Sequence, residues 1–457
     1  MNSGLMGKKI AITTLGTLGD INPMVALALE LKKRGYQISF STSKYFQPYI
    51  EKHGLCFHEV LPNLDPNNKE MIQTVLDPKN GPERFHREII FPHVAESYAS
   101  FLETAKEADL IISGILSYFA PLCAKKLKKP WASVMLSPMT FWSIFDPPVI
   151  PTMEFMKHAY RFGPEFNKFI FREIFRVSNE WTKPVQELRA KEGIIDDSNP
   201  LTNGAASEYL NLGMYSRLLG DVQPDFPANS VLTGFVLFDQ NLSHQTLSTE
   251  LQGFLASGPP PVVFTLGSNS VMKHSQLFDL FHEVAQKMNH RSVILTGEAN
   301  FTQYKGRSTE KIFFDDYAPY SQLFPHASCI VHQGGIGTTG QAMYGGKPMI
   351  ILPECNDQHD NLERAQRLGI AKGIPMKEVS ARKLRNAIMA MLASPEYTSK
   401  AAQVVQELKK ENGLKTAADE IEKLLAKPDL SSCTTTSNHP YNQQILNQKV
   451  DGGRLRI

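Results

Sequence analysis

The sequence predicts an α/β protein made of two Rossmann-like parallel-sheet domains that face each other across a cleft. Three observations carry this expectation. Short β-branched and apolar runs alternate with helical periodicity in both halves of the chain. The length, 457 residues, exceeds one compact domain and suits two of about 200 residues each. A polar stretch around 239–250, followed by Pro259-Pro260-Pro261, separates the halves.

The first element is the strand Lys9 to Thr14, which runs into the loop Leu15-Gly-Thr-Leu-Gly-Asp20. Asn22 is read as the N-cap of the next helix, Pro23 as its first residue and Gly35 as its stop. Further strands are expected at Gln37 to Ser41, Leu110 to Ser113, Ala132 to Leu136, Tyr209 to Met214 and Val231 to Gly234. An aromatic and basic block, 138 to 182, interrupts this half and includes Phe141, Trp142, Phe145, Phe171 and Phe175.

The second half repeats the alternation, with strands at Val262 to Leu266, Ser292 to Leu295, Cys329 to His332 and Met349 to Leu352, and a helix over Leu362 to Leu368. The expected division is a domain over 1–238, a linker over 239–258, a second domain with its terminal helix over 259–426, and a disordered tail over 427–457. Ligands in such sheets bind beyond the carboxyl ends of the strands.

Composition narrows the function. The apolar fraction is 42% and the net charge +2, which give no electrostatic case for a nucleic-acid partner. The cysteines Cys56, Cys123, Cys329, Cys355 and Cys433 are odd in number and widely spaced, as suits a reducing, cytoplasmic compartment. No signal peptide is legible, and the most apolar run, Leu110 to Cys123, is too short to span a bilayer.

The most informative stretch is Val331-His-Gln-Gly-Gly-Ile-Gly-Thr-Thr-Gly-Gln-Ala342. A strand delivers His332 to its carboxyl end, and Gly334, Gly335 and Gly337 permit a tight turn and close approach to a ligand. Thr338 and Thr339 then open a helix whose unpaired N–H groups favour an anion such as a diphosphate. His332 is expected to donate a hydrogen bond to the same phosphates. Gly335 to Gly340 also matches the dinucleotide fingerprint G-x-G-x-x-G, so an NAD(P)- or flavin-dependent oxidoreductase using this GIGTTG loop is the alternative. A buried histidine beside a plain structural turn is the blander reading.

One α/β unit later, Glu354-Cys-Asn-Asp-Gln-His-Asp-Asn361 should emerge at the same sheet edge. Asp357 and Gln358 could hold sugar hydroxyls, with Asp360 or Asn361 capping the following helix. Tyr317, in a Pro-containing loop, could stack on a nucleobase or serve only in packing.

On these motifs the chain resembles the nucleotide-sugar glycosyltransferases of the UDP-glycosyltransferase superfamily, closest to rhamnosyltransferase-like and sterol-glucosyltransferase-like branches. The resemblance covers most of residues 7 to 425 and is specific at Gly16 to Pro23, Thr265 to Ser268 and Tyr317 to Asn361. It implies the GT-B fold, with an N-terminal acceptor domain and a C-terminal donor domain. It implies that Tyr317 lies against the base, that His332, Gly337, Thr338 and Thr339 contact the diphosphate, that Asp357-Gln358 holds the sugar, and that Gly19 and Ser268 reach the donor.

Many family members carry Gly-His-x-Asn-Pro where this chain has Gly19-Asp20-Ile21-Asn22-Pro23. Asp20 is therefore the expected general base, against the reading that it only caps a helix. Phe141, Trp142 and Phe145 are the expected acceptor pocket, with inter-helix packing or contact with a membrane surface as the other uses of that block. No D-x-D motif occurs, and Asp196-Asp197 and Asp315-Asp316 read as solvated turns. The implied enzyme is an inverting, metal-independent hexosyltransferase. It needs no cofactor beyond a UDP- or TDP-sugar co-substrate and acts on a hydroxylated small lipophilic or lipid acceptor.

Overall fold

A computed structural model describes residues 7–427, except 66, 67, 69, 72, 73, 75, 76, 78, 79, 152, 239–245 and 268–274. Ser268, most of the tail expected over 427–457 and part of the stretch expected as linker lie outside the described residues.

The first half holds strands β1 (Lys9–Thr13), β2 (Gln37–Thr42), β3 (Cys56–Glu59), β4 (Leu110–Gly114), β5 (Trp131–Met135), β6 (Leu210–Gly213) and β7 (Ser230–Leu232). The second holds β8 (Val262–Phe264), β9 (Ser292–Leu295), β10 (Ile312–Asp315), β11 (Cys329–His332), β12 (Met349–Ile351) and β13 (Ala371–Gly373). They form two sheets, ordered β3-β2-β1-β4-β5-β6-β7 and β10-β9-β8-β11-β12-β13. The pairs around β1 and around β11 are parallel, as a chain of strand–helix–strand units requires.

The strand direction of travel reverses between β1 and β4 in one sheet and between β8 and β11 in the other. Loops that leave a sheet at such a switch point diverge and open a crevice. The first turn of the helix that follows β1 carries Asp20, and the loop after β11 is the glycine turn. Helices needed below are α1 (Leu18–Lys33), α2 (Pro164–Asn179), α3 (Thr249–Ala256), α4 (Ile336–Tyr344), α5 (Gln358–Arg367) and α6 (Gly413–Leu425).

Several expectations are corrected. Helix α1 starts at Leu18, so Pro23 lies inside it and Asn22 is not its cap. Thr17 is the cap, in a capping box closed by Asp20. The stretch 239–258 contains helix α3. The terminal helix α6 packs on the first sheet: Ala417, Ala418, Ile421, Leu424 and Leu425 share a core with Ile10, Val25 and Leu31. Arg34 of the first half pairs with its Asp419 and Glu422 at 2.7 and 2.9 Å. Asp196 is no solvated turn residue; it is almost buried and pairs with Arg189 and Lys125. Asp315 ends β10 half-buried. No described helix is long and apolar enough to cross a membrane.

Candidate active site

The site is built from the ends of four strands. After β1 the chain turns at Gly16, whose φ of +131° suits glycine. A Cβ there would sit 2.2 Å from Asp20 Oδ2, so the carboxylate packs directly over the glycine. Oδ2 accepts from the Thr17 N–H at 2.8 Å and from the Thr17 hydroxyl at 3.3 Å. Asp20 is thus the acidic member of the cap. Burial in the crevice pushes its pKa up to about 6, although the Thr17 bonds pull the other way.

On the opposite wall, Asp357 is the N-cap position of α5 and its side chain caps nothing. Its Oδ2 accepts from Asn361 Nδ2 at 2.7 Å, and the same amide donates to the Gly334 carbonyl at 2.9 Å. Asn361 therefore ties the acidic loop to the glycine turn. Burial also pushes Asp357 up to about 6; Asn361 opposes this, and Asp20 adds to it. That last influence means that the two carboxylates lie within electrostatic reach of each other. The start of α1 and the loop after β12 therefore lie near each other.

The glycine turn needs its glycines for different reasons. Gly334 has φ +94°, and a Cβ on it would meet Ile351 Cγ2 at 2.6 Å. Gly337 lies exposed in the first turn of α4 with nothing within 4 Å of its would-be Cβ. The first N–H groups of α4 have no partner within the helix. Thr338 is half-buried beside them. Thr339 is fully buried, its hydroxyl donating to the Gly335 carbonyl at 3.0 Å, so its side chain is spent on the helix start.

His332 departs from expectation. Its ring is fully buried; Nδ1 accepts from the Gly334 N–H at 3.1 Å and Nε2 meets Met349 Sδ at 3.4 Å. Burial drives its pKa down to about 3, so the imidazole is neutral. Both ring nitrogens thus face protein atoms in this structure, and Nδ1 props the turn through the Gly334 N–H. Gln358 is likewise committed: its Oε1 accepts from the N–H groups of Glu354 and Cys355 at 2.8 and 3.2 Å.

Tyr317 is half-buried after β10. Near it lies Tyr49, whose hydroxyl donates to Asn22 Oδ1 at 2.9 Å. Burial and then the neighbouring Tyr317 push the Tyr49 phenol upward. Asn22 is thereby explained as an anchor for Tyr49, a residue that the sequence reading missed.

The aromatic block is mainly its own core. Phe141 stacks on Phe226 with centroids 4.0 Å apart, and Trp142 meets Phe171 and Phe175 edge-on at 5.5 Å. Both line a recess with Met135, Asn203 and Asp225. Phe145 alone of the three expected pocket residues is exposed. Among the described residues, no group of three or more His, Cys, Asp or Glu side chains could hold a metal ion.

Comparison with known proteins bears on the fold and the family. Residues 282–424 match the erythromycin biosynthesis protein CIII-like C-terminal domain family, and residues 10–106 the glycosyltransferase family 28 N-terminal domain. An O-mycaminosyltylonolide 6-deoxyallosyltransferase of Streptomyces fradiae is 26% identical over 91% of this chain and 97% of its own length. A sterol 3-beta-glucosyltransferase of Pichia angusta is 23% identical over 91% of this chain. The chain spans only 33% of that relative, and 64% of a 26% identical sterol 3-beta-glucosyltransferase of Arabidopsis thaliana. Among solved structures, the calicheamicin glycosyltransferase CalG4 superposes with a TM-score of 0.69 at 15% identity, covering 92% of this chain and 99% of that one. VinC, solved in complex with dTDP, gives 0.62 at 19% identity, covering 91% and 99%. At these identities the likeness establishes the architecture, two facing parallel-sheet domains of the GT-B type. Nothing among these relatives supports the oxidoreductase reading of the GIGTTG loop.

Proposed function

Because the chain belongs to the UDP-glycosyltransferase superfamily, we propose that it is an inverting hexosyltransferase acting on a hydroxyl of a small lipophilic or lipid acceptor. The donor is a UDP- or TDP-sugar. The observation that carries the reading is the tie of Asp357 through Asn361 to the Gly334 carbonyl, which sets a carboxylate beside the open N-terminus of α4, with Asp20 near enough to influence its charge.

In this reading the pyrophosphate lies over Gly337 and against the first N–H groups of α4, with Thr338 alongside. Asp357 accepts a hydrogen bond from the sugar, while Gln358 and His332 hold the two loops in shape. Gly19, exposed in the first turn of α1, borders the donor, and Tyr317 and Tyr49 flank the nucleobase. Asp20 takes the proton from the acceptor hydroxyl. The freed oxygen bonds to the anomeric carbon from the face opposite the leaving group, and the C–O bond to the nucleoside diphosphate breaks. The dTDP-bound VinC and the sterol and O-mycaminosyltylonolide relatives support the donor and acceptor classes. The exposed Phe162 and Phe169, with Arg172 stacked over the latter, support peripheral contact with lipid.

A mass-spectrometric screen crossing UDP- and TDP-sugars with sterols, macrolides and phenols tests the proposal. A product heavier than the acceptor by one hexosyl residue is expected; thermal stabilisation by NAD and not by UDP or TDP would overturn it. Leaving-group charge is met by the helix terminus, so excess EDTA should leave the rate unchanged. A rate abolished by EDTA and restored by magnesium would contradict this.

The pH profile follows from Asp20. The base works ionised, so kcat/KM should rise with pH through about 6 and level off above it. Asp357 titrates in the same range and faces Asp20, so the limb belongs to the pair. An activity that falls as pH rises from 5 to 7 would remove Asp20 from the role.

A further inference from the structure

Helix α5 carries a feature that the transfer chemistry does not use. Arg364 is among the largest side chains in the molecule with almost no exposure, 1%. Its Nε donates to Asp360 Oδ2, one turn earlier on the same helix, at 2.7 Å. Its Nη1 pairs with Asp146 and donates to the Leu219 carbonyl at 2.9 Å. Asp146 and Leu219 both belong to the first half of the chain. The remaining oxygen of Asp360 accepts from the Val149 N–H at 3.0 Å, also across the divide. Arg367, half exposed, adds a second guanidinium to Asp146 at 2.9 Å. Gly220 lies so close that a Cβ on it would stand 2.9 Å from Nη1.

Burial alone would drive Arg364 toward neutrality; Asp360 and Asp146 overcome it and hold the guanidinium charged. Burial likewise pushes Asp146 up, and the two arginines outweigh it and hold the carboxyl below its ordinary range. Such a network is costly to break from one side, because withdrawal of a partner leaves a buried charge uncompensated.

Its place in the molecule matters. Helix α5 opens with Gln358, directly after Asp357, and Asp357 faces Asp20. The segment 144–149 that it grips follows Phe141 and Trp142. The network therefore spans from the donor loop to the aromatic block.

We propose that Arg364, acting through Asp146, is a positioning residue that sets the closed approach of the two halves and so the reach of Asp20 toward the donor. The inference rests on the transfer reading above.

Asp146→Asn tests it, because the Asp360–Arg364 pair inside the second half is left intact. Three quantities are measured on the full chain: TDP and UDP affinity by calorimetry, transfer kcat, and the radius of gyration with nucleotide bound. Affinity should stay within about threefold of wild type, kcat should fall at least about tenfold, and the nucleotide-bound radius should exceed the wild-type value. Arg367→Ala removes the exposed partner only, and should lower kcat about two- to fivefold in the same direction. It also serves as the test should Asp146→Asn not fold. Unchanged kcat, an affinity loss parallel to the kcat loss, or an unchanged radius would overturn the proposal. Failure of the wild-type protein to transfer any sugar would instead strike the transfer reading, and the radius would still decide whether the brace sets closure.

Discussion

Asp20→Asn should lower the transfer kcat by about 10²–10⁴-fold while leaving nucleotide affinity in place. The argument turns on separating two jobs held by one side chain. As the acidic member of the capping box, Asp20 accepts from the Thr17 N–H and hydroxyl. An asparagine oxygen can accept the same bonds, so the start of α1 survives. An asparagine cannot take a proton from an alcohol, so the chemistry does not. Stability separates the jobs further. The native carboxylate has a pKa of about 6 against roughly 3.9 for an unfolded aspartate, so the folded state binds the proton more tightly. Its contribution to stability is full below about pH 4 and is lost as pH rises through 6. Above pH 7 the variant, which has no carboxylate to ionise, should melt no lower than wild type. A loss of activity accompanied by a fall in melting temperature would point to the cap alone. Activity within about threefold of wild type would remove Asp20 from the reaction.

Much of the architecture was legible because buried parallel strands announce themselves. Ser292 to Leu295 and Cys329 to His332 are continuous apolar runs, and they appear with those bounds. Strands β3, Cys-Phe-His-Glu, and β13, Ala-Lys-Gly, are edge strands; they carry no such run and were not expected. Helix α6 reads as a terminal helix from its periodicity, but nothing local says that it crosses to the first sheet. That depends on Arg34, 385 residues away from Asp419.

The site divides in the same way. Gly334 and Asp357 were readable because each sits in the turn that follows a strand, and Asp20 because it opens the first helix after β1. The Thr17-x-x-Asp20 capping box was readable too, and was passed over because Asn22-Pro23 offers a competing cap signal. The inward turn of His332 was not readable, since it is set by Met349 on the next strand. The commitment of Phe141 and Trp142 to packing depends on Phe226, Phe171 and Phe175, partners that only the folded chain brings near. Asp360 and Arg364 stand four apart on one helix face, which hints at their pairing, but Asp146 lies 218 residues from Arg364.

Gly334→Ala should destroy donor binding and lower stability together, whereas Gly337→Ala should cost donor binding alone. At Gly334 the backbone is left-handed, with φ +94°, which costs a residue with a side chain about 1–3 kcal/mol. The added methyl would overlap Ile351 Cγ2, 2.6 Å away in the present packing. The turn can escape only by shifting, and its two anchors then fail: the N–H bond to His332 and the carbonyl bond from Asn361. Asn361 also holds Asp357, so the disturbance reaches the sugar side of the site. Nucleotide affinity should fall more than about tenfold, equivalent to about 1.4 kcal/mol, with a melting temperature several degrees lower. Gly337 is the opposite case. It lies in the first turn of a helix, where alanine is favoured over glycine by about 0.5–1 kcal/mol, and its would-be Cβ meets no protein atom. The space above it is where the pyrophosphate is placed, so a methyl there should keep or raise the melting temperature and weaken UDP and TDP binding. Wild-type nucleotide affinity in both variants would mean that the donor phosphates lie elsewhere, and the turn after β11 would be structure and nothing more.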